Sequence, residues 1–210
     1  HGVFSFCMCP GGFIVPSATE DKEIVVNGMS PSKRDSKYAN SGIVVAVDEK
    51  DFSPFQKHGN LRAMYYQQSV EQKMYGIVGK GQVAPAQRLP DFVKNVASQS
   101  IPESSYQPGL ESANLRSALP DKVQRVLKDG FKSFGDKMKG YMTDEAVVVG
   151  TESRTSSPVK IPRLKEEKHH IRIKNLFPSG EGAGYAGGIM SAAIDGEKVA
   201  EAIKQAISFK

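Results

Sequence analysis

The stretch Asn175-Leu176-Phe177-Pro178-Ser179-Gly180-Glu181-Gly182-Ala183-Gly184-Tyr185-Ala186-Gly187-Gly188-Ile189-Met190 decides how this chain is read. Within it, Gly182 to Gly187 fits G-x-G-x-x-G, a pattern found where a strand turns into a helix beneath a phosphate-bearing ligand. The spacing predicts a short strand at 175–179. A helix is predicted at 189–207, where Ile189, Ala193, Val199, Ala200, Ile203 and Ile207 recur on one side. A dinucleotide fingerprint also needs a second parallel strand ending in an acidic residue about 20 residues on. The sequence reads as helix through Lys204 to Lys210, so a first βαβ unit is not expected.

Five glycines in the nine positions 180–188 exceed what a turn requires, because each costs backbone entropy. They clear side chains from a helix start, where backbone N–H groups carry the positive end of the helix dipole. The ligand expected there is an anion or a polar ring edge. Glu181 is placed to accept hydrogen bonds from a hydroxylated moiety, since a carboxylate repels a phosphate.

Outward from this segment, the chain has 210 residues, 39% hydrophobic and 24% charged, which excludes disordered, collagenous and coiled-coil classes. Its net charge of +5, from 28 basic and 23 acidic residues, is scattered, so it permits an anionic ligand and points to no nucleic acid. Residues 2–19 carry no charge, but Pro10, Gly11, Gly12 and Pro16 break them into strands and turns, so no membrane span or signal peptide is expected. This interior-like opening, beginning at His1 and not Met, leads to the expectation of a piece of a longer polypeptide. Two cysteines make no disulfide framework and fit a reducing, cytoplasmic setting.

Strands are expected at 3–8, 13–16, 23–29, 43–48, 146–151 and 159–163, helices at 60–75 (closed by Gly76) and 89–97. Pro120 and Asp121 open the clearest helix, with Val123, Val126, Leu127, Phe131, Phe134 and Met138 in one apolar stripe. Its Lys122, Arg125, Lys128, Lys132 and Lys137 read as a solvated face, because Asp129 and Asp136 interrupt them. Residues 165–170 form a charged connection where a domain boundary fits.

Cys7 and Cys9 share one face of a regular strand. A structural zinc site needs four ligands and there is no second pair, so no metal is expected. A C-x-C disulfide is strained. Packing in the core is preferred, with a redox role as the alternative, to be tested by thiol reactivity. His169 and His170 alternate with Ile171 and Ile173 as a half-exposed strand with polar residues outward, and His58 has no nearby partner. Gly76 to Gly81 lacks the spacing and the Ser/Thr of a P-loop, and no G-x-S-x-G is present.

The segment 175–193 resembles the C-terminal FAD-binding segment of the FAD-dependent dehydrogenase, or NAD(P)/FAD-dependent oxidoreductase, family. The resemblance extends, in order, to Phe6-Cys7-Met8-Cys9-Pro10-Gly11-Gly12, Asn27-Gly28-Met29-Ser30, Arg34-Asp35, Ala39-Asn40-Ser41, Ala84-Pro85-Ala86-Gln87 and Thr151 to Val159. It implies a mixed α/β (α+β) chain. Residues 1–163 would be part of a substrate domain with an antiparallel or mixed sheet and helices. Residues 164–210 would be the strand and helix closing a Rossmann-like FAD domain, whose N-terminal unit is missing.

By the same resemblance, Gly180 and Glu181 face the ribityl chain and the backbone of Gly187 to Met190 faces the pyrimidine edge. The cofactor set is Gly180, Glu181, Gly182, Ala183, Gly184, Gly187, Gly188, Ile189 and Met190. A helix N-terminus there favours reduced, anionic flavin by about 0.3 to 2 kcal/mol. The implied activity is hydride transfer between a small-molecule substrate, or NAD(P)H, and flavin N5. This piece alone is expected to be inactive and to bind FAD weakly or not at all, its partner being the remainder of its own chain. Arg34, Asn40, Arg154, Cys7 and Cys9 are candidate catalytic residues, weighed against Arg34 pairing with Asp35 and Arg154 with Glu152. The competing reading is a non-catalytic α/β module whose glycine loop binds another anion and whose basic helix contacts a partner.

Overall fold

Seven short strands and four α-helices make a mixed α+β chain in the computed structural model, which describes residues 2–208. His1, Phe209 and Lys210 lie outside the described residues, and with the last two lies the end of the run read as helix through Lys210. Two compact units divide the chain. One comprises residues through Asp51 with Gln67–Ser153; the other comprises Phe52–Tyr66 with the residues from Arg154 onward.

In the first unit, β1 (Val3–Cys9) pairs antiparallel with β4 (Asn40–Val45), and β2 (Phe13–Pro16) with β3 (Val26–Met29). A third, mixed sheet has β5 (Ala84–Arg88) at its centre, parallel to β6 (Leu110–Ser112) and antiparallel to β7 (Val147–Val149). β5 is a strand that its residues do not advertise. Alanine and proline are poor strand formers, and Pro85 lacks a ladder donor. The ladder tolerates Pro85 because its carbonyl still accepts from Gly150 N at 3.0 Å, while Ala84 N donates to Gly109 O. Ala84, Pro85, Ala86 and Gln87 are all buried. The buried Gln87 amide is satisfied on both sides: Nε2 donates to Val96 O at 2.9 Å and Oε1 accepts from Leu115 N at 2.9 Å.

The helix α1 (Arg62–Val78) runs through Gly76 instead of ending there; Gly79, at φ +66°, follows its last residue and supplies the left-handed stop. α2 (Leu89–Lys94) and α3 (Asp121–Lys137) meet through Phe92 and Phe131, edge to face at 5.7 Å. With Ile24, Met74, Leu115 and Leu127 they make the core. The basic face of α3 is partly tied down: Lys122 Nζ lies 2.6 Å from Asp51 and 3.4 Å from Asp48.

In the second unit, Ser53–Leu61 is a 3-10 helix and α4 covers Ile189–Ser208. His58, expected to be alone, stacks on Tyr65 at 3.6 Å. The strands expected at 159–163 and 175–179 do not form; one isolated bridge, Arg163 to His170, stands in their place. Their backbone groups are used elsewhere. Ile161 N donates to Ala183 O at 3.1 Å, and His170 N donates to Leu176 O at 2.7 Å. Ile171 and Ile173 are consequently exposed along with Arg172 and Lys174, where a half-buried strand would have turned the isoleucines inward. Among the described residues, no helix is long and apolar enough to cross a membrane.

Candidate functional site

The glycine segment of the second unit is a loop that precedes α4, and side chains from elsewhere in that unit brace it. Asp195, on the second turn of α4, is buried and takes both arms of the Arg163 guanidinium: Nη1 to Oδ2 at 2.9 Å and Nη2 to Oδ1 at 2.5 Å. Arg163 Nη1 also donates to Pro178 O at 2.7 Å. The same Asp195 Oδ2 accepts the Gly180 amide at 2.9 Å. Hydrogen bonding from Arg163, with help from Gly180 N–H, outweighs desolvation and lowers the Asp195 carboxyl to about 2. One carboxylate thereby fixes the start of the loop to the helix that follows it.

Tyr185 holds the middle of the loop. Its amide donates to Gly180 O at 2.9 Å, its hydroxyl donates to Ile161 O at 2.9 Å and accepts from Arg163 N at 3.0 Å, and its ring lies 3.7 Å beneath the Arg163 guanidinium.

The glycines then separate into two kinds. Gly180 and Gly184 have φ of +70° and +81°, and a Cβ on Gly184 would lie 2.8 Å from Val159 O, so these serve the turn itself. Gly182 and Gly187 have no positive φ and nothing within 4 Å of a built Cβ. Nothing in the chain's own conformation requires glycine at these two positions. They leave open space beside backbone amides ahead of α4, whose first residues, Ile189 and Met190, are 90% and 71% exposed. Of the expected cofactor set, Gly187, Gly188, Ile189 and Met190 form the open start of α4, Gly182 is exposed earlier in the loop, and Ala183 is buried. The first-turn amides of α4 lack intrahelical acceptors by construction, which suits an anionic or carbonyl-bearing ring edge.

A second cluster lies in the first unit and gathers four of the five catalytic candidates. Cys9 pairs with Asn40 across β1 and β4, and the Cys9–Pro10–Gly11–Gly12 turn packs against the loop that carries Arg34. A Cβ on Gly11 would fall 1.9 Å from Arg34 O, while Gly12 N donates to Tyr38 O and Ser36 Oγ donates to Gly12 O at 2.8 Å. Arg34 itself is exposed at φ +50°. Arg154, the fifth candidate, is half-buried in the other unit.

The two cysteines do not share a face. The register shifts between Phe6 and Cys9, and Cys7 sits at φ +49°, so the two-residue alternation is lost; Cys7 is exposed and Cys9 buried. Among the described residues, no three His, Cys, Asp or Glu side chains are grouped to hold a metal.

The sequence reading did not identify Arg163 and Asp195. They are 32 residues apart, and nothing local marks them as a pair. An aspartate among the apolar positions of α4 is the one available hint.

Residues 1–155 match the family described as FAD-dependent protein, C-terminal domain-like. An uncharacterized protein of Clostridium beijerinckii is 44% identical over 205 residues, which cover 97% of this chain and 38% of the relative. The chain thus spans well under half the length of that curated relative. The glycine loop lies outside the residues matched to the family.

Proposed function

The chain belongs to the FAD-dependent protein C-terminal domain family, and from that premise we propose that it is the flavin-closing, carboxy-terminal part of an FAD-dependent oxidoreductase. The observation that supports this reading is the open start of α4 at Gly187, behind a glycine loop that Arg163 and Asp195 tie to the helix.

The residues present fit a flavin edge. Glycines with free Cβ space allow a planar ring to approach the backbone, and the amides of Gly188, Ile189 and Met190 supply donors at the positive end of α4. When bound, FAD supplies hydride acceptance and donation at flavin N5 for a small-molecule substrate or a nicotinamide. This chain orients the ring edge and supplies a favourable field for negative charge on it. Glu181, half-buried beside the glycines, accepts hydrogen bonds from the hydroxylated part of the cofactor. The remainder of the polypeptide, represented by the rest of the relative's length, supplies the pyrophosphate site.

The test is flavin retention by the complete gene product. Gly187→Val fills open space and strains nothing in this chain, so it should leave thermal stability unchanged and lower FAD content after gel filtration. Full retention of FAD by that variant would overturn the reading. So would a yellow, flavin-loaded preparation of the 210-residue chain alone, because the pyrophosphate site is assigned elsewhere.

A further inference from the structure

We propose that the flank of α4 from Ile189 to Ile207 is an interface that docks along the remainder of the polypeptide to which this chain belongs. The helix carries two distinct faces directed away from its charged side. Asp195, Val199 and Ala202, four and three residues apart, are buried and seat α4 on its own unit. A second run, Ile189, Ala193, Gly196, Ala200, Ile203 and Ile207, advances in steps of 4, 3, 4, 3 and 4 residues. At about 3.6 residues per turn it forms one seam, about a third of a turn round from the buried face. Glu197, Lys198, Glu201 and Lys204 are exposed on the remaining side.

The seam is open to solvent. Ile189 is 90% and Ile207 67% exposed, and Ala193 and Ala200 are exposed between them. Single apolar side chains are common on a protein surface, but a row of them along about 27 Å of helix marks an interaction site. Gly196 adds an observation of a different kind. Glycine inside a helix weakens it relative to alanine. Gly196 has no positive φ and a built Cβ meets nothing within 4 Å, so neither its backbone nor any described neighbour needs a glycine there. With Ala193 and Ala200 it makes the middle of the seam shallow between isoleucines at the two ends, a shape that lets another backbone come close.

The occupant follows from length. The relative from Clostridium beijerinckii matches 97% of this chain, so at least most of α4 falls within the match, yet the matched residues are 38% of the relative. Well over half of that polypeptide lies elsewhere in the same molecule, at a high effective concentration beside the seam, whereas a second copy would have to arrive from solution. The proposal shares with the proposed function the premise of a longer polypeptide. No flavin enters it, because the cofactor is assigned backbone amides at the start of α4 and the seam is made of side chains along its length.

The test labels single introduced cysteines in the complete gene product with a maleimide and locates the label by peptide mass. Ala200→Cys lies in the seam and Glu197→Cys on the charged side, and both positions are exposed in this chain. The thiol at position 200 should react at least about tenfold more slowly than the one at 197. Rates within about twofold of each other would overturn the proposal. Protection lost on dilution would assign the seam to a second copy, and protection already present in the 210-residue chain alone would assign it to that chain's other unit; either result overturns the proposal. Gly196→Leu provides a second readout. Leucine is the better helix former, so an uncovered seam predicts an unchanged or raised thermal midpoint for the complete gene product, whereas a docked seam predicts a lower one. Neither readout involves flavin, so a gene product that fails to hold FAD leaves this test intact.

Discussion

Replacing Asp195 by Asn keeps its shape and removes the charge that joins Arg163, Ser179 and Gly180. The carboxyl falls from 3.8 to about 2 in the folded chain, nearly two units, and each unit is worth about 1.4 kcal/mol. Because the folded value is the depressed one, this stabilisation of about 2 kcal/mol is fully present above pH ~4 and is lost as pH falls toward ~2. The substitution also leaves the Arg163 guanidinium, 7% exposed, without its counter-charge, and stripping one partner from a buried pair costs about 3 to 5 kcal/mol. A local loss of about 2 to 5 kcal/mol follows. Amide hydrogen exchange reads it directly at Gly180, whose N–H donates to Asp195, and at Tyr185, whose N–H donates to Gly180 O. Two kcal/mol corresponds to exchange about 30-fold faster at a fixed pH. Wild-type protection should fade between pH ~4 and ~2 after correction for intrinsic exchange, and the variant should show no such step. Arg163→Met combined with Asp195→Leu should cost less than Asp195→Asn alone. Exchange at Gly180 and Tyr185 within about twofold of wild type would refute the bracing role.

Gly184→Ala should destabilise the second unit by about 1 to 3 kcal/mol in urea unfolding, because φ +81° and a contact 2.8 Å from Val159 O both oppose a Cβ. Gly182→Ala should change stability by less than about 0.5 kcal/mol, since its Cβ meets nothing within 4 Å. Burial pushes the Tyr106 phenol up to about 12, with its hydroxyl donating to Gln82 O at 2.7 Å. The unfolded phenol ionises first, so stability should fall as pH rises from about 10 toward 12. Tyr106→Phe should flatten that slope while costing about 1 kcal/mol at neutral pH, followed by circular dichroism against urea.

Much of the fold was legible because it obeys local periodicity. The apolar stripe of α3 buries Leu127 and Phe131, and β1 and β2 fall where their β-branched and aromatic residues place them. β5 was legible only as a motif, since Ala84, Pro85 and Ala86 have weak strand preference and form one because neighbours on both sides and burial favour it. The segment 175–179 failed for the opposite reason: its carbonyls and amides serve Arg163 and local turns, not a ladder. The parity of Cys7 and Cys9 was lost through one extra residue in β1, a feature that alternation alone cannot reveal. The glycine loop was found from composition, but the ion pair that fixes it depends on a contact 32 residues long in sequence.

Tyr185 gives the chain an optical handle. With no tryptophan among 210 residues, ultraviolet emission comes from seven tyrosines, and one of them lies inside the glycine loop with its ring against a guanidinium. Tyrosine emission overlaps the near-ultraviolet absorption of an isoalloxazine, so a flavin seated at the start of α4 would quench Tyr185 by energy transfer at short range. Comparing that quenching with a Tyr185→Phe variant would separate light lost from the loop from light lost elsewhere, without attaching any dye.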